Sequence, residues 1–227
     1  MIISGKEDGL TFSLIARDPE SGALGGIAAT GNLCVGAWVL RGDPRGGLTA
    51  SQGKTPSTLW GEDALDLLRH GLAPAEIVGE VTSADAGRAV RQLGVLSAGG
   101  DVAAFDGSEN HPYTGHRRGD GWLASGNWLT SPAVLDRAAE AYLAGGDDFA
   151  RRLLAALRAG VDAGSDSRGT LSAALLVIGL DRPPLSLRVD WDEAPVDRLS
   201  ALHDRTNETD YNSWLDTLPT RTTPEAM

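Results

Sequence analysis

The sequence predicts an α+β chain in which antiparallel sheets carry helices on their outer faces. Three observations lead there. Strand-like runs pair as hairpins near the start, middle and end of the chain, and helical periodicities come in consecutive pairs between them. Neither the G-x-G-x-x-G turn nor the Gly-Lys-Ser/Thr phosphate loop occurs, which removes the nucleotide-binding βαβ readings.

Taken in order, Thr11 to Arg17 (TFSLIAR) sets Phe12, Leu14 and Ala16 against Thr11, Ser13, Ile15 and Arg17, the period of two of a strand with one apolar face. The turn DPESG returns the chain into Leu24 to Thr30 (LGGIAAT), whose small residues suit a closely packed cover. Val35 to Leu40 and Leu48 to Ser51 read as strands on either side of a tight RGDPRGG loop. Glu62 to His70 reads as a helix stopped by Gly71, and Pro74 opens a second with Ile77, Val78 and Val81 on one stripe. Arg91 to Ser97 and Val102 to Phe105 form the middle hairpin across Ala98-Gly99-Gly100-Asp101.

After a polar loop and a short segment around Trp122, Ser131 and Pro132 start a helix with Val134, Ala138 and Tyr142 at every fourth position, and Phe149, Leu153 and Leu157 repeat that spacing. Leu171 to Ile178 is apolar enough for a strand covered on both faces, with Leu185 to Val189 as its partner. Phe12, Leu14, Leu175 and Val177 are expected in or beside the core between the sheets. Pro195 to His203 closes the regular structure. The organisation expected is an extension over 1–10, one domain over 11–205 and a tail over 206–227.

Composition narrows the function. The chain has 227 residues and a formal charge of −11, a field that opposes nucleic acid and anionic membrane. No apolar run approaches a membrane span and the first residues do not read as a signal peptide, so a cytoplasmic protein is expected. The single cysteine, Cys34, can neither close an internal disulfide nor build a thiolate metal cluster, and it reads as a small buried hydrophobe. No cofactor or metal is expected.

Four segments, TFSLIARDPESGALGGIAA, RQLGVLSAGGDVAAFDG, GHRRGDGWLASGNWL and DAGSDSRGTLSAALLVI, together resemble a bacterial family known as the domain of unknown function numbered 1028. The resemblance runs from about Thr11 to His203. It implies an Ntn-hydrolase fold, a four-layer αββα sandwich whose first strand begins with the nucleophile, and proteins of that kind commonly form homo-oligomers through their helical layers. Family members that look most like catalysts place this threonine directly after the initiator methionine. Here nine residues separate Met1 from Thr11.

The chemistry expected is therefore attack by the Thr11 hydroxyl on a C–N amide bond of a small substrate, with the residue's own α-amine as base. Ser13, on the same strand face, is expected to hydrogen-bond the nucleophile, bind substrate or replace Thr11 as the nucleophile. Asn127, read as lying in a glycine-adjacent turn, offers an amide to an oxyanion. Asp166 and Arg168, in a glycine-flanked turn, resemble the acidic serine-rich turns that buttress such nucleophiles. His116, Arg117 and Arg118 concentrate positive charge in an acidic protein, read here as a loop that meets an anionic substrate group. The alternative expected is a catalytically silent domain of the same fold that binds a small anion through those three residues. His70, His111 and His203 read as structural.

Overall fold

The computed structural model describes residues 10–146, 148–164 and 169–225. Strands β1 (Thr11–Arg17), β2 (Leu24–Thr30), β7 (Tyr113–Gly119), β8 (Trp122–Leu129), β9 (Ser172–Ile178) and β10 (Leu185–Val189) make a six-stranded sheet in the order β10-β9-β2-β1-β8-β7. Strands β3 (Leu40–Asp43), β4 (Gly47–Gly53), β5 (Arg91–Ser97) and β6 (Val102–Asp106) make a four-stranded sheet in chain order. Every pairing is antiparallel.

The sheets face each other. Helices α4 (Ala133–Leu143), α5 (Phe149–Asp162) and α6 (Pro195–Thr206) cover the larger sheet, and α2 (Thr58–Arg69) and α3 (Pro74–Ser83) cover the smaller. This is the four-layer αββα order. Approach between layers is close where glycine permits it: a Cβ on Gly160 of α5 would sit 2.6 Å from the Phe12 ring, and one on Gly94 of β5 would sit 2.9 Å from Leu123. Helix starts follow local chemistry. The Ser57 hydroxyl accepts from Trp60 N–H ahead of α2, and Asp148 accepts from Arg151 N–H ahead of α5.

Strand parity corrects one expectation. Phe12, Leu14, Leu175 and Val177 face α4, α5 and α6, whereas Ile15, Leu123, Leu48, Leu96 and Ile178 fill the space between the sheets. Both faces of β1 are covered, so its apolar alternation cannot tell which cover lies where. Val35–Trp38 forms a short helix, α1, rather than a strand. It carries the chain from one sheet to the other behind Cys34, which is half-buried and has a left-handed φ of 59°. The RGDPRGG segment is largely strand, and α2 begins at Thr58, ahead of the expected Glu62. Tyr113–Gly119, expected as a loop, is the edge strand β7. Within 206–227, Thr209–Leu215 forms a further helix, α7, and the Thr222 N–H donates to Leu180 O.

Candidate active site

The space between the sheets changes character along its length. On the inner face of β1 the residues are Thr11, Ser13 and Ile15, paired with Asn127, Ser125 and Leu123 of β8. Thr30 and Ala28 of β2 flank them on the other side. The facing strands answer in kind, with Leu48, Ala50 and Gln52 on β4 and Leu96, Gly94 and Gln92 on β5 in matched register. One end is therefore apolar. At the other, Thr11, Ser13, Thr30, Gln52, Gln92, Ser125 and Asn127 are all buried.

Around Thr11 the hydrogen bonds have a fixed direction. Thr30 Oγ1 donates to the Leu10 carbonyl at 2.8 Å, so its single hydrogen is used. The 3.0 Å contact between Thr11 Oγ1 and Thr30 Oγ1 then has Thr11 as donor, leaving the Thr11 oxygen's lone pairs available. The Gly31 N–H also donates to Leu10 O, at 3.3 Å. Two donors thus hold the carbonyl of the peptide bond that precedes the hydroxyl. Leu10 itself is buried with Phe12 in the helix-side core.

Behind this lies a chain of side-chain amides. Gln92 Nε2 shares its two hydrogens among three acceptors, Asp106 Oδ1 at 2.6 Å, Gly126 O at 3.0 Å and Gly115 O at 3.1 Å. Its oxygen accepts from Gln52 Nε2 at 2.7 Å and from Asn127 Nδ2 at 3.2 Å, and Gln52 Oε1 accepts from Ser13 Oγ at 2.8 Å. Asp106 is shared with His116, whose Nδ1 lies 2.7 Å from Oδ2. Two buried polar atoms here have no partner among the described residues, Asn127 Oδ1 and Ser125 Oγ.

Of the residues expected from sequence, Thr11, Ser13 and Asn127 come together on one face, with Asn127 in strand β8 rather than a turn. As register partners on adjacent strands, Thr11 and Asn127 have Cβ atoms about 5 Å apart. His116 joins them through Asp106 and Gln92. Arg117 does not: alternation along β7 points it to the helix side, where its Nε donates to Asp136 of α4 at 2.6 Å and Nη1 to the Tyr113 hydroxyl. Those two hydrogen bonds raise the Arg117 pKa further, so it is a permanent cation committed to α4. Arg118 is exposed on the edge strand. Asp166 and Arg168 lie outside the described residues.

Thr30, Gln52, Gln92 and Asp106 were not singled out from sequence. The available signal was parity, since Gln52 and Gln92 each continue an inward stripe of small and apolar residues. Just beyond β4, Lys54 Nζ sits 5.4 Å from the centroid of the Trp128 ring at the rim of this region. Among the described residues no group of three or more His, Cys, Asp or Glu could hold a metal, and no helix is long and apolar enough to cross a membrane.

Comparison with known proteins adds the family. Protein SPO2555 from Silicibacter pomeroyi, a member of the same family, is 47% identical, with 96% of this chain and 99% of that one covered at a TM-score of 0.92. The eukaryotic HslV from Trypanosoma brucei is 16% identical over 74% of this chain and 99% of its own, at a TM-score of 0.47. No curated protein matches. The model of the family of unknown function DUF1028 matches residues 11–199. With that span, the chain belongs to the DUF1028 family.

Proposed function

We propose that this protein is an amidohydrolase whose nucleophile is the Thr11 hydroxyl, acting on a C–N bond of a small substrate. The observation that carries the reading is the Thr30 hydroxyl, which accepts from Thr11 Oγ1 while donating, together with Gly31 N–H, to the Leu10 carbonyl. The bond before the nucleophile is thus polarised beside the group that would attack it. Attack by Thr11 Oγ1 on the Leu10 carbonyl and departure of the Thr11 nitrogen would leave an ester at Leu10, and water would then release residues 1–10. The nitrogen takes up the proton that the hydroxyl loses.

The freed α-amine, with an ordinary pKa near 8, then serves as base without a histidine partner. It takes the proton of Thr11 Oγ1 as the oxygen bonds to a substrate carbonyl, and returns it to the leaving nitrogen as the C–N bond breaks. Water deacylates the ester by the same exchange. Asn127 keeps one Nδ2 hydrogen for the oxyanion, the other being held by Gln92. An anionic substrate group would meet Arg118 and His116 at the edge of β7. The silent, anion-binding reading loses Arg117 to Asp136, so it rests on fewer residues.

The test is a panel of small amides, with and without a carboxylate, assayed for released amine. Thr11→Ala is expected to lower turnover at least about a thousandfold, as loss of a nucleophile does elsewhere. Equal activity in Thr11→Ala would remove the nucleophile assignment.

A further inference from the structure

Asn127, the register partner of Thr11 on β8, has an amide whose orientation is settled by groups two bonds away. Gln92 Nε2 faces the Asp106 carboxylate and the Gly115 and Gly126 carbonyls, all acceptors, so it cannot be reversed. The Gln92 oxygen therefore points at Gln52 and Asn127, and both must donate to it. Reversing Asn127 would set its oxygen against the oxygen of Gln92. The consequence is that Asn127 Oδ1, on a residue that is 0% exposed, is left without a partner among the described residues. A buried acceptor held in place by a carboxylate-anchored network calls for a donor.

One backbone nitrogen beside Asn127 on the neighbouring strand can gain hydrogens, that of its register partner Thr11. Arg17 N–H donates to Gly121 O, and bonded pairs in an antiparallel ladder recur at every second residue, so Thr11 and Asn127 also form such a pair. The Thr11 nitrogen accordingly points toward β8. While joined to Leu10 it has one hydrogen, which the ladder uses. Opening the Leu10–Thr11 bond gives it more.

We propose that Asn127 is a positioning residue whose side-chain carbonyl accepts a hydrogen bond from the freed Thr11 α-amine, an inference that rests on Thr11 being the nucleophile. The bond steers the amine toward its own hydroxyl and favours the protonated form, so the acceptor sets the pH at which the amine becomes a base. Among the described residues, the other titratable groups nearby are Asp106 and His116, on the far side of Gln92, and Lys54 beyond β4. They are unchanged between the variants compared.

The experiment uses the full chain and needs no substrate. Periodate converts an N-terminal threonine to an aldehyde only when both amine and hydroxyl are free, so mass spectrometry of the treated protein reads whether Thr11 has been liberated. Trace acetylation with acetic anhydride from about pH 6 to 10, around the ordinary α-amine value, then gives the apparent pKa of that amine from its labelled peptide. Two near-isosteric variants bracket the wild type. Asn127→Leu removes the acceptor and is expected to lower the amine pKa by about one unit, and Asn127→Asp is expected to raise it by at least as much. A merely structural role would not shift the two in opposite directions. Unchanged values in both variants, with Thr11 liberated, overturn the role of Asn127 and leave the nucleophile standing. Folded variants that fail to open the bond while the wild type opens it also overturn the role, since they place Asn127 in the cleavage step. A wild type that never exposes Thr11 overturns both.

Discussion

The two ends of the space between the sheets are built by the same strands and differ by a few residues. At one end Ile15, Leu123, Leu48 and Leu96 interlock as in any protein core. At the other, Thr11, Ser13, Asn127, Gln52 and Gln92 occupy continuing positions of those same stripes. Burial of apolar side chains contributes about 1.5–3 kcal/mol each, whereas buried amides and hydroxyls roughly break even when bonded and cost about 1–3 kcal/mol when orphaned. Among the described residues the polar end holds two such orphans. Stability does not account for it; the reactivity proposed for Thr11 would. The cost is tolerated because the apolar end, a few residues away, holds the two sheets together.

Substitutions separate the two ends. Leu123→Ala, in the apolar end opposite Gly94, is expected to cost about 2–5 kcal/mol and to leave turnover per folded molecule unchanged, as chemical denaturation and an amide assay on the same sample will show. Gln92→Leu deprives Asn127, Gln52 and Asp106 of a partner. It is expected to cost about 1–3 kcal/mol for each group that finds no replacement, and unlike Leu123→Ala it should also abolish reaction at Thr11. Equal activity in both variants would dissolve the distinction between the ends. The smallest effect sharpens the boundary: Arg117→Ala breaks a partly exposed ion pair with Asp136, worth about 0.2–1 kcal/mol, and should leave substrate KM unchanged because the side chain lies on the other face of the sheet.

Much of this was legible in the sequence, for identifiable reasons. Hairpins such as Thr11–Arg17 with Leu24–Thr30 announce themselves through local alternation and turn residues. What local pattern lacks is the identity of the neighbour. Phe12 and Leu14 were expected between the sheets because they form the bulkier stripe, yet a strand covered on both sides has two buried stripes, and the helices take the bulkier one. Edge strand β7 reads as a loop because its sequence, YTGHRRG, mixes glycine and charge as a half-exposed edge does. For the site, Thr11 and Ser13 stood out on their strand, and Asn127 stood out beside its glycine although it was read as a turn. Gln52 and Gln92 did not, since each joins the site through a partner distant in sequence, Gln52 to Ser13 across 39 positions and Gln92 to Asn127 across 35. Their inward parity was the one available sign.

The central claim is that the polar end exists to expose and use Thr11, and the most direct test is the N-terminal residue of the active protein purified from the cell that makes it. Intact mass and the N-terminal peptide suffice. The account predicts a chain that begins at Thr11 and a Thr11→Ala variant that keeps Leu10 joined to residue 11. Active protein in which Leu10 remains bonded to Thr11 would contradict it, because an acylated nitrogen cannot take the hydroxyl's proton.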